Sequence, residues 1–196
     1  MSEHYMLECY QPIEWDDMAL LKSIYFKEIE TWRNDIDSWR MGRRLVSELP
    51  DPIQVKIRPG YPDNLKEMYY NDAIIMSKRL LAALQEMGVD NLDVYPCVII
   101  NEGTGFRTED YVAVNLIGLV KAADIDNSNV TGGNSDHMLD TDFDGLAIDP
   151  KKAKDYLMFR LAENTSAIVI HRSVKEHLIE KGFTMLSYVE PKDWIG

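Results

Sequence analysis

Cysteine is nearly absent from this 196-residue chain, which holds only Cys9 and Cys97. Two thiols cannot build the disulfide framework of a small secreted domain, and Cys97 sits in an apolar run where a thiol serves as a buried hydrophobe. That usage suits a reducing compartment. Positive charge is also scarce, with 21 Lys and Arg against 33 Asp and Glu and a net charge of −12. The balance disfavours nucleic acid and anionic membranes, both polyanions, and either favours a basic protein as partner or simply keeps the protein in solution. No apolar run approaches the roughly 18 residues that a membrane-spanning helix needs. The opening MSEHYMLECYQPIEWDD lacks a basic stretch followed by an apolar one, so no secretory signal is read there and a cytoplasmic location is expected. Internal repeats and low-complexity linkers are missing as well.

The motifs of common chemistry are missing too. No G-x-S-x-G, Walker loop or G-x-G-x-x-G occurs, and Gly103-Thr104-Gly105 is long enough only for a turn. His171 and His177 are six apart, which separates them on a helix instead of placing them at the i, i+4 spacing of a zinc pair. His171 precedes the helix, His177 is expected on its solvent face, and His4 and His137 stand alone in polar segments. No metal, cofactor or catalytic residue is assigned.

What is present suffices for a core, since 45% of the residues are hydrophobic and 28% charged. A single α+β domain over 1–196 is expected, with a separate N-terminal subdomain over 1–60 as the alternative. The clearest local signal runs from Asn71 to Ile100. Ala73, Met76, Leu80, Leu84 and Met87 recur at helical spacing, and Gly88 stands where a left-handed cap is wanted. Beyond it Leu92, Val94, Val98 and Ile100 alternate as in a strand. Tyr5–Tyr10, Ile53–Arg58, Tyr111–Leu119, Tyr156–Leu161, Ala167–Ile170 and Phe183–Val189 also read as strands. Ala19, Leu20, Ile24 and Lys27 hint at a helix. A second helix should open at Ser173, with Glu176 as its capping-box partner, and close at Gly182. This order predicts an α+β fold: a mixed, largely antiparallel sheet with a few packed helices.

Residues Asp124 to Pro150 form the most polar stretch and are expected to be a long surface loop. Within it Asp140-Thr141-Asp142-Phe143-Asp144-Gly145 copies the opening of a calcium loop. The twelfth position, where a bidentate Glu belongs, is Lys151, and helices do not flank the string, so a solvated acidic turn is the preferred reading. Asp124 with Asp126 is the pair that a carboxylate-dependent hydrolase would use, although abundance of acids is its only support. Trp15, Trp32, Trp39 and Trp194 could anchor an interface or fill the core.

Taken in order, these pieces resemble a bacterial family of toxin-immunity proteins, family eleven. The similarity rests on Trp39 to Leu49 with Gly42, the Pro50–Pro52 turn, and the helix with Ser77, Leu80 and Leu84. It continues through Gly88-Val89-Asp90-Asn91-Leu92 and Tyr95-Pro96, then Tyr111, Asn115, Asp124, Asp126 and Ser128. Leu157-Met158-Phe159-Arg160-Leu161 follows, with the closing helix and strand behind it. The resemblance implies an inhibitor without catalysis that blocks a cognate toxin encoded nearby. A basic toxin, with a nuclease as first candidate, suits the acidic charge. On that reading Asp136, Asp140, Asp142, Asp144 and Asp149 are the candidate partner-binding residues. A small-molecule hydrolase and a calcium-binding domain are the competing readings.

Overall fold

A computed structural model describes residues 2–9, 17–24, 37–70, 73–132, 141–154 and 156–196. In chain order its strands are β1 His4–Cys9, β2 Ile53–Lys56, β3 Met68–Tyr70, β4 Ile74–Ser77, β5 Leu92–Asn101, β6 Phe106–Thr108 and β7 Tyr111–Leu116. They continue with β8 Leu119–Val120, β9 Val130–Gly132, β10 Asp142–Phe143, β11 Met158–Leu161, β12 Ile168–His171 and β13 Leu186–Val189. The helices are α1 Lys78–Glu86, α2 Pro150–Ala153 and α3 Arg172–Glu180.

The period of two in the strands feeds three cores. On β1, Tyr5 and Leu7 enter one core and Met6 another; on β12, Ile168 and Ile170 divide from Val169 in the same way. On β4, Ile74 and Met76 join Tyr5 and Leu7, whereas Ile75 turns to a third core beneath the other face. Strands buried on both faces read as nearly unbroken apolar runs, which is why IIMS and YVAVNL carry so few polar residues. Two sheets result. One has the order β13-β1-β12-β11-β8, antiparallel except for the β11–β8 pair. The other runs β2-β5-β7-β4-β3 with β6 also on β5, and only β2–β5 is parallel. Helices α1 and α3 close the first core over both sheets through Leu80, Leu84, Val174 and Leu178. The α+β class holds, with two sheets and a short β9–β10 hairpin in place of one sheet.

Several local expectations need correction. The helix over the Asn71–Gly88 signal starts at Lys78, because Ile74 to Ser77 pair with β7 instead. Ser77 ends the strand and caps the helix: its Oγ accepts from the Leu80 N–H at 3.0 Å. The hinted helix around Ala19 is extended as far as Ile24, where Leu21 bridges Ile57. Lys27, at its far end, lies outside the described residues. The second helix is capped by His171, whose Nδ1 accepts from the Ser173 N–H at 3.2 Å, so Ser173 lies inside the helix. His177 faces α1, 3.4 Å from Glu86, and not solvent. Lys181 holds that same carboxylate at 2.6 Å and, with His177 adding to it, keeps the carboxyl below its usual range.

The polar Asp124–Pro150 stretch is no free loop where it is described. Phe143 and Leu146 are buried with Phe159 and Trp194 in the core outside the first sheet. Ser128 fastens the segment by donating to the Asp124 carbonyl at 2.6 Å and accepting from the Ala147 N–H at 2.9 Å.

Candidate partner-binding surface

The polar residues that carry the family-like order work inside the scaffold. Asn91 Nδ2 reaches the carbonyls of Ile117 and Met158, at 2.9 and 3.1 Å, and so ties segments of the two sheets together. Asn115, fully buried, donates to the Arg43 carbonyl at 2.7 Å, and Tyr111 donates to the Lys66 carbonyl at 2.9 Å. Gly42 has φ +62°, and a Cβ there would stand 2.7 Å from the Gly118 carbonyl carbon. Trp39 and Trp194 are both core residues, Trp39 edge-on to Tyr95 and Trp194 against Phe143. Trp15 and Trp32 lie outside the described residues.

The acidic candidates divide. Asp142 and Asp144 are exposed on one face of β10, while Phe143 between them is locked into the core. Backbone bonds hold this short strand on both sides: it pairs with β9, and Phe143 exchanges bonds with Gly196 at 2.6 and 3.0 Å. Asp144 bridges Ile195, and residues opposed in a bridge present their side chains to the same side. Ile195 leaves 75% of its surface exposed. The result is an exposed apolar side chain with the Asp142 and Asp144 carboxylates beside it. Asp149 has a different task, since it caps α2 by accepting from the Lys151 N–H at 2.9 Å. Asp136 and Asp140 lie outside the described residues.

Sequence reasoning named Asp142 and Asp144 among its candidates and missed the exposed Ile195 beside them. Ile195 sits in a two-residue tail after Trp194, with no periodicity to show which way it points. Its exposure follows only from the pairing of that tail with β10.

The competing chemistries find little geometry. Asp124 accepts from Asn127 Nδ2 at 2.8 Å, and Asp126 stands exposed. A neighbouring cavity of about 660 Å³ is lined by His4, Asn129, Asp144 and Glu190 but by neither of that pair. Among the described residues, no group of three or more His, Cys, Asp or Glu could hold a metal ion. Cys97 is buried, and burial pushes its thiol up to about 12, so it stays protonated. Sequence reading also missed that His4 lies buried across from His171, their rings 5.6 Å apart.

Asn91, Asn115 and Tyr111 are thus spent on internal ties, and the exposed Ile195 beside Asp142 and Asp144 is left outside. The profile of the immunity protein family (Imm11) matches residues 12–193, and the chain belongs to that family. No curated protein matches it.

Proposed function

We propose that this immunity protein neutralises a cognate basic toxin, a nuclease in the first instance, by covering it without performing chemistry of its own. The toxin would be encoded beside it, and the complex would form in the cytoplasm, away from nucleic acid and membrane. The observation that carries this reading is the exposed Ile195 beside Asp144 and Asp142, on a strand whose inward residue is fixed in the core. A rigid apolar centre supplies desolvation energy, and the surrounding carboxylates steer a cationic partner and fix its orientation. Asp136 and Asp140 belong to the same proposal by sequence position alone. Reading the chain as one domain is supported by β1 and β4, whose side chains share one core although they sit in different sheets.

The test is association kinetics with the product of the adjacent reading frame. The double variant Asp142→Asn with Asp144→Asn should slow association several-fold at low salt, and the difference should shrink as salt approaches about 1 M. An unchanged association rate at low salt would remove this face from the interface. A harmless neighbouring product that does not bind would remove the toxin reading altogether.

A further inference from the structure

Arg160 on β11 is 3% exposed, and its charge has no carboxylate beside it among the described residues. Its Nη1 donates to the Thr165 carbonyl, and its Nε, also buried, has no acceptor. A buried guanidinium costs several kcal/mol unless an anion or a full set of acceptors compensates it, roughly in the manner of any desolvated ion. Burial is the largest of the effects that bring this group down to about 10, with Tyr70 acting against it and Arg40 in the same sense. The fold keeps an expensive cation here with a carbonyl acceptor but, among the described residues, no carboxylate in an ion pair with it.

Arg160 opens onto a cavity of about 650 Å³ where β1, β3, β12 and β13 meet the tail after β13. That volume suits a small organic molecule. Arg40 lines the same space, so two cations border it. The one carboxylate of the described lining side chains, Glu8, is taken up by Trp194, whose Nε1 donates to it at 3.0 Å. Leu7, Ile74 and Ile168 give the cavity apolar walls on the Arg160 side, and Tyr70 keeps its hydroxyl on the Leu7 carbonyl.

We propose that this cavity is a binding site for a small organic carboxylate, its anionic head on the Arg160 guanidinium and its apolar body against Leu7, Ile74 and Ile168, which share the Arg160 side of the sheet. The guanidinium fork matches a carboxylate with two parallel N–H donors, which a neutral head cannot exploit. A long or branched polyanion would not fit the apolar walls. Ile195 also lines the cavity, so the site adjoins the proposed docking face, but its occupant is a small anion and its binding needs no toxin.

Hexanoate and hexanamide share a body and differ in the charge of the head, so calorimetric titration of the unaltered chain with each isolates the effect. Hexanoate should bind at least about tenfold more tightly than hexanamide. Equal affinities, or no heat with hexanoate at about 10 mM, would overturn the proposal. The variant Arg160→Gln keeps a donor for the Thr165 carbonyl and removes the charge. It should lose hexanoate by about tenfold or more while its melting temperature stays within a few degrees. Undiminished hexanoate binding by that variant would equally overturn the proposal. Should the variant fail to fold, the two-probe comparison on the unaltered chain decides by itself.

Discussion

A single imidazole in the first strand sets part of the protein's response to pH. His4 is 3% exposed and lies edge-on to Phe159 and His171, at ring separations of 6.0 and 5.6 Å. Burial, with His171 second, pushes it below its ordinary value, and Glu3 opposes them weakly. Unfolded, the group returns to about 6.5. Between its lowered folded value and 6.5 the unfolded chain therefore binds more protons, and stability rises with pH across that window. The contribution is complete above about 6.5 and is lost as pH falls through the folded value. Melting temperatures taken at about pH 7.5 and 5.5 should fall more for the native chain than for His4→Phe, whose ring fits the same contacts. Equal falls would place the acid sensitivity elsewhere. None of this was legible in the sequence: His4 stood among Ser2, Glu3 and Tyr5, and no local period announces that a strand will be buried on both faces.

Among the elements, what could be read depended on whether one signal dominated. Strands β5 and β7 were plain because each combines β-branched residues with clear punctuation, such as Gly88 before one and Gly103 to Gly105 after it. The start of α1 was not, because Met76 and Leu80 keep helical spacing across a strand–helix junction. Tertiary pairing with β7 decided for strand up to Ser77. That residue therefore carries two jobs, accepting from the Leu80 N–H and donating to Glu67 Oε2 at 2.5 Å. Ser77→Ala should cost about 1 kcal/mol of stability, within the usual 0.5–2 kcal/mol for a lost cap, read as a lower urea midpoint with an unchanged slope. An unshifted midpoint would mean that the helix is held by its apolar face alone. The Asp124–Pro150 stretch failed as a loop for a related reason. Phe143 and Leu146 are two apolar residues among many polar ones, too few to show a period, yet a wall formed by Phe159 and Trp194 is enough to bury them.

For the molecule as a whole, net charge was the one functional signal that composition could deliver, and it gives a sign without an address. The acidic half of the candidate face was legible as Asp142 and Asp144; the apolar half depends on pairing between residues far apart in sequence, Asp144 with Ile195. The two halves should separate kinetically. Charge acts mostly on encounter, whereas a desolvated apolar anchor acts on residence time. Ile195→Ser should thus speed dissociation from the cognate toxin by about tenfold or more with little change in association, as read by surface-based kinetics. A variant that alters only the association rate would deny Ile195 an anchoring role. The tenfold figure corresponds to about 1.4 kcal/mol, modest for a side chain exposed in the free protein.

Strand β1 lies between β12 and β13, so Leu7 meets Tyr188 and Tyr5 meets Ile170 across more than 160 residues of intervening chain. This interior strand of the sheet is made early and waits for neighbours made late. At a translation speed of about 5–20 residues per second, its apolar rims stay unclaimed for roughly ten seconds or more. A ribosome that stalls short of Val189 would release a chain with one open flank on β1, and such flanks invite aggregation. The sheet that buries Tyr5 and Leu7 thus closes only once β12 and β13 have both been made.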